Sequence, residues 1–150
     1  MRSTLEKVII LKGTSLFSGT PDEVLAAVAG QMRDVTAAAG ETVIRKGEPG
    51  DSMYIIVRGR VRIHDGDHTL TYLGADEVVG EMALLDPEPR AASVTAEEET
   101  ELLRLDQEPF GELIEDRVEV TRAIMRVLTR RVRALDRETV ELQARLAERS

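Results

Sequence analysis

The sequence predicts a mainly β chain with flanking helices (α+β): an antiparallel β-roll or jelly roll, a helical N-terminal segment and a long C-terminal helix. Two observations predict it. Between residues 34 and 106, Gly40, Gly47, Gly50, Gly59, Gly66, Gly74 and Gly80 break the chain at short intervals, and the segments between them alternate apolar with polar residues. Many short strands joined by frequent turns close on themselves as a roll, sandwich or barrel. By contrast, residues 117–147 contain neither Gly nor Pro and carry apolar residues at helical spacing, the pattern of one long helix.

The N-terminal part, residues 1–32, reads as helical, with Leu5, Val8 and Ile9 at helical spacing and Leu16-Phe17 in a loop. Thr20-Pro21-Asp22-Glu23 supplies a capping threonine, a proline suited to a first helical position and a glutamate three residues after the cap. A helix is therefore expected from Pro21 to about Ala29. In the roll, Met53–Val57, Arg60–Ile63 and Thr69–Tyr72 read as strands. Arg58-Gly59 and Asp65-Gly66-Asp67 read as hairpin turns, and Glu97-Glu98-Glu99 as a solvated turn between strands. Residues 108–149 turn helical again, first as a short helix with Pro109 in its first turn that ends near Asp116. In the long helix, Val118, Met125, Leu128, Val132, Leu135, Leu142 and Leu146 occupy heptad a/d positions, interrupted by Thr121 and Thr139. That seam predicts a homodimer. A second stripe, Ala123, Ile124, Val127 and Ala134, is expected to pack on the β part.

Length and charge narrow the function. One domain of 150 residues buries a real core. Without Cys there is no disulfide framework and no thiolate metal site. The net charge of −8 disfavours general affinity for a phosphate backbone. The apolar run Val8–Leu11 is too short for a signal sequence, and no stretch approaches the ~20 apolar residues of a membrane span. A soluble, cytoplasmic protein is expected. No nucleophile–base pair or metal cluster appears, so the chain is not expected to be an enzyme or to carry a cofactor. His64 and His68 flank a turn and invite a cupin-type metalloenzyme reading. Asp65-Gly66-Asp67 separates them, however, and both are expected at an exposed tip. The helix arginines 117, 122, 126, 130, 131, 133 and 137 are read as a solvated face whose stems cover apolar neighbours.

One stretch carries a sharper signal: Val78-Val79-Gly80-Glu81-Met82-Ala83-Leu84-Leu85, two prolines, then Arg90-Ala91-Ala92-Ser93-Val94. Gly80 suits a close approach or an unusual backbone conformation. Glu81–Leu85 suits one helical turn whose leading N–H groups attract an anion. Arg90 supplies a forked cation for phosphate. Glu81 cannot bind a phosphate but accepts from a sugar hydroxyl. A nucleotide with a 2′-hydroxyl beside its phosphate meets both needs; two charges on a solvated loop are the plainer alternative.

This stretch resembles the phosphate-binding cassette of the cyclic nucleotide-binding domain family, which includes catabolite-activator transcription factors, regulatory subunits of cAMP-dependent kinase and cyclic-nucleotide-gated channels. The resemblance extends upstream through Gly40–Ile44, Gly47–Ile56 and Gly59, and covers about Leu16 to Leu135. It implies that Glu81 binds the ribose 2′-hydroxyl, aided by the Gly80 N–H, and that Arg90 binds the exocyclic phosphate. The N–H groups of Ala83 and Ala91 complete the cradle, with Met82 and Ala92 beside them. Val79 stands where the family usually has Phe. Ala91 stands where cGMP-selective members often have Thr, which leans towards cAMP over cGMP. Arg131 and Leu135 are the candidate caps on the base. The resemblance implies a sensor that moves its C-terminal helix when the ligand binds. A dimerisation scaffold with a degenerate pocket is the rival. Transcription factors of the family continue into a helix-turn-helix domain after the helix; no such DNA-binding domain is expected here, and the output partner stays open.

Overall fold

The computed structural model describes residues 1–149. Helix α1 (Thr4–Lys12) begins with a capping box: the Glu6 N–H donates to Ser3 Oγ, and the Ser3 N–H donates to the Glu6 carboxylate, both at 3.2 Å. Its buried stripe is Val8 and Leu11, while Leu5 and Ile9 face out. Helix α2 (Asp22–Ala29) starts one residue later than expected. Pro21 is its N-cap, with ψ at 143°, and no side chain caps the turn. Thr20 belongs to the preceding turn, its N–H bonded to the Phe17 carbonyl at 3.0 Å. Its hydroxyl is buried without a partner instead of capping α2.

Eight strands follow: β1 (Arg33–Ala37), β2 (Thr42–Ile44), β3 (Ser52–Arg58), β4 (Arg60–Asp65), β5 (His68–Gly74), β6 (Val78–Val79), β7 (Ser93–Ala96) and β8 (Thr100–Asp106). They form two antiparallel sheets ordered β1-β8-β3-β6 and β2-β7-β4-β5. Strand β3 is buried on both faces. Met53 and Ile55 join Leu103 and Leu105 of β8 in a core shared with the helices. Tyr54 and Ile56 join Val61, Val79, Val94 and Leu102 between the two sheets. This period of two decides which residues face the interior of the roll. The β3–β4 turn depends on Gly59. Its φ is 107°, and an added Cβ would lie 2.6 Å from Thr100 Oγ1. Glu97–Glu99 forms the exposed connection between β7 and β8.

Helix α3 (Gln107–Asp116) buries Phe110, and α4 (Val118–Arg149) runs for 32 residues, about 48 Å at 1.5 Å per residue. Thr121, expected to interrupt the seam, instead closes the α3–α4 corner by donating to the Ile114 carbonyl at 2.8 Å. Val120, Ala123 and Ile124 seat α4 on the helix-side core, and Val127 is buried on the same helix. Leu128, expected in the dimer seam, packs against the same core. The other seam residues, Val118, Met125, Val132, Leu135, Leu142 and Leu146, are exposed. None of the helices among the described residues is long and apolar enough to cross a membrane.

Candidate functional site

Strand β6 leads into Gly80, which is left-handed at φ 78°, and then into a 3₁₀ turn, Glu81–Leu84. A Cβ on residue 80 would lie 2.5 Å from Arg90 Nη1 and 3.0 Å from the Ser52 carbonyl oxygen. Only glycine combines that conformation with that approach. Ala83 and Leu84 are buried, and the Ala83 N–H closes the turn on the Gly80 carbonyl at 3.1 Å.

The returning chain is laced to the loop before β3. Pro49 bridges Pro89, and neither can donate from its backbone. The bonds fall on their neighbours: the Gly50 N–H donates to the Glu88 carbonyl at 3.0 Å and the Arg90 N–H to the Glu48 carbonyl at 2.8 Å. The Arg90 carbonyl accepts from the Gly47 N–H at 2.9 Å. These bonds fix the Arg90 backbone from both sides. Its guanidinium donates to Ser52 through Nη2, at 2.7 Å to the carbonyl and 3.3 Å to Oγ.

Among the described residues, no carboxylate lies within 4.0 Å of Arg90. Burial pulls its pKa below the ordinary arginine value, Tyr54 and Asp51 oppose that, and the Arg104 charge adds to it. An arginine remains cationic in such a setting, so a partly buried positive charge faces the cavity uncompensated. Next in the chain, no protein acceptor takes the N–H of Ala91 or Ala92 among the described residues.

Gly80, Met82, Ala83, Arg90, Ala91 and Ala92 line one cavity of about 430 Å³, with Ile44, Ile63, Val79 and Val94 as its apolar wall. That size and mix of surfaces suit a small polar molecule with an apolar body. Glu81 turns the other way. It lines a neighbouring cavity of about 500 Å³ against α4, where its Oε1 accepts from Arg131 Nη2 at 3.0 Å. The structure thus brings Arg131 to Glu81, not to the Arg90 cavity. Leu135, one turn on, is exposed and lines neither cavity.

The sequence reading missed Ser52, the residue that aims Arg90. Its one signal in the sequence is a small polar residue directly before the apolar run Met53–Val57, and the structure leaves it 2% exposed. It also missed Arg104, which donates to the Tyr54 hydroxyl at 2.9 Å and to Asp106 at 2.6 Å. Burial is the strongest single influence and works against the Arg104 charge, but the Asp106 bond together with the charges of Tyr54, Asp106 and Asp51 outweighs it and the pKa rises. Of the two histidines, His68 is exposed as expected and His64 is not. His64 is half-buried on β4, with Nδ1 2.8 Å from the Gly66 carbonyl and Nε2 2.7 Å from Thr95 Oγ1. Among the described residues, no cluster of three or more His, Cys, Asp or Glu side chains could hold a metal.

With this geometry in place, the comparisons converge. Residues 34–117 match the cyclic nucleotide-binding domain family. The chain is 35% identical over 138 residues to a CRP-like cAMP-activated global transcriptional regulator of Mycobacterium tuberculosis, covering 89% of this chain and 62% of that protein. It is 34% identical over 117 residues to a cAMP-dependent protein kinase regulatory subunit of Dictyostelium discoideum, covering 73% of this chain and 34% of that protein. The crystal structure of the N-terminal domain of a transcriptional regulator from Streptomyces coelicolor A3(2) superposes with a TM-score of 0.78 at 33% identity, covering 87% of this chain and 94% of that one. The chain thus spans at most about three fifths of the two curated relatives' lengths. It belongs to the cyclic nucleotide-binding domain family.

Proposed function

We propose that this member of the family is a non-catalytic sensor that binds cAMP in preference to cGMP and signals occupancy through α4. The observation that carries the reading is Arg90: a partly buried cation, aimed by Ser52, which among the described residues has no carboxylate partner and has two N–H groups without an acceptor beside it. A buried charge left unpaired is costly, and a phosphate supplies the missing partner. In this reading the exocyclic phosphate takes Arg90 and the Ala91 N–H, and the ribose 2′-hydroxyl recruits Glu81 from Arg131. Because Arg131 sits on α4, exchanging its partner links ligand to helix. The ligand moves α4 only as far as its affinity differs between the two positions.

The test is calorimetric titration of cAMP and cGMP into protein stripped of nucleotide by reversible unfolding. The expected result is cAMP binding at about micromolar or tighter, near −8 kcal/mol, with cGMP weaker. No binding of either nucleotide by folded protein would sink the sensor reading and leave the scaffold reading in its place.

We place a homodimer on the exposed seam of α4. Leu135→Asp with Leu142→Asp is expected to give monomers by light scattering with the fold intact, since both residues face solvent in the single chain. An unchanged dimer would refute the seam. Leu128 does not serve this test, because it packs on the core.

A further inference from the structure

The arginines of α4 do more than cover apolar neighbours. Arg126, Arg130 and Arg133 recur at i, i+4 and i+7, so they share one helix face. All three line a cavity of about 510 Å³ between α4 and the Gly19–Pro21 segment that leads into α2. It contains neither Arg90 nor Glu81 and lies outside the cassette. None of the three has a carboxylate within 4.0 Å among the described residues, and none of the residues lining the cavity is acidic. In a chain of net charge −8 this is a local reversal of sign. Like charges at this spacing destabilise a helix, so the arrangement lacks its counter-charge.

A second, independent observation points the same way. Thr20 lines the cavity at 8% exposure, and its hydroxyl is the buried side-chain polar atom left without a hydrogen bond among the described residues. Buried polar groups in native folds are almost always paired. Arg130 lies over the same segment. Its Nη1 donates to the Ser18 carbonyl and would touch a Cβ at Gly19 at 3.1 Å.

We propose that this cavity is a second anion site, which takes a small molecule bearing a phosphate or diphosphate group. Three guanidinium groups call for more than one negative charge, and each offers the forked donors that match phosphate oxygens. The cavity is larger than one phosphate needs, so the anion is the head of a larger molecule. Thr20 contributes a hydroxyl once Arg130 turns from Ser18 towards the anion. Since the arginines lie on α4 and Thr20 precedes α2, occupancy ties α4 to the N-terminal helices.

The probe is pyrophosphate against sodium chloride at equal ionic strength, in an Arg90→Ala background so that the cassette cannot respond. Pyrophosphate at about 10 mM is expected to raise Tm by about 2–4 °C. Adding Arg126→Gln with Arg133→Gln should abolish that rise while leaving Tm in chloride nearly unchanged, because both side chains are exposed. Thr20→Val should keep or raise Tm in chloride and shrink the pyrophosphate response. The control Arg137→Gln, exposed on α4 and outside the cavity, should leave the response whole. The proposal is overturned if Arg90→Ala alone removes the response, or if the Arg126/Arg133 variant responds like its parent. Loss of the dimer in that variant, with no anion response in the parent, would assign the arginines to a subunit interface and overturn it as well.

Discussion

The two ends of the cassette are built on opposite plans. At the Arg90 end, a cation is held by a carbonyl and a hydroxyl of Ser52 and has no carboxylate partner among the described residues. At the Glu81 end, a carboxylate is already engaged by Arg131 of α4. In the proposed reading the first end is already set for an anion. The second must exchange one partner for another. Tight packing concentrates at the preformed end, where Gly80, Ser52 and Arg90 leave no room for a Cβ. The exchangeable end is more open: Arg131 is 45% exposed and Glu81 23%. Under the proposed function, affinity and signal are therefore separable, with anchoring at Arg90 and coupling at Glu81.

Replacing the anchor should have the largest effect. Arg90→Ala removes charge-assisted bonds of about 1.5–3 kcal/mol each, so nucleotide affinity should fall by about ten- to a hundredfold or more. The fold should lose only about 1 kcal/mol, for the bonds to Ser52. Calorimetry measures the first quantity and urea unfolding the second. A variant that binds as well as its parent would break the comparison, because the anchor would then lie elsewhere.

The coupling end predicts a smaller effect of mixed sign. An exposed ion pair contributes about 0–1 kcal/mol, so neither Glu81→Gln nor Arg131→Gln should change stability by more than that. Their effects on binding should differ. Glu81→Gln removes the acceptor for the 2′-hydroxyl and should weaken cAMP about tenfold, while Arg131→Gln removes a competitor and should tighten it by up to about fivefold. A double-mutant cycle in binding free energy separates the two. If Arg131→Gln weakened binding instead, Arg131 would be a ligand contact, and the two ends would not divide the work.

The same contrast explains what the sequence made legible. Local chemistry was readable. Glycines marked the turns of the roll, the Gly-free and Pro-free stretch marked α4, and Pro109 marked the start of α3. Arg90 and Gly80 stood out because a cassette is a local motif. Partners that depend on distant register were not readable. Ser52 meets Arg90 across 38 residues and Glu81 meets Arg131 across 50. No periodicity fixes which face of α4 meets the turn, so Leu128 looked like seam and proved to be core. Thr20 failed as a cap for a subtler reason. The residue type and spacing were right, but the preceding turn had already claimed its backbone.

The smallest effect concerns the base. Ala91 is exposed, lines the Arg90 cavity and has an N–H that no acceptor takes among the described residues. A threonine there adds a hydroxyl at the cavity surface without disturbing the core. One neutral hydrogen bond is worth about 0.5–1.5 kcal/mol, so Ala91→Thr should shift the cGMP-to-cAMP affinity ratio about two- to tenfold towards cGMP. The expected gain is in cGMP alone, with cAMP affinity nearly constant, because the proposed phosphate contacts at residues 90 and 91 use a guanidinium and a backbone N–H that the substitution keeps. Competition calorimetry against a fixed cAMP concentration resolves a change of that size. An equal shift for both nucleotides would mean that residue 91 acts on the phosphate, extending the anchor by one residue. No shift would mean that the base lies beyond its reach, and selectivity would then have to come from the α4 side, where Arg131 waits on Glu81.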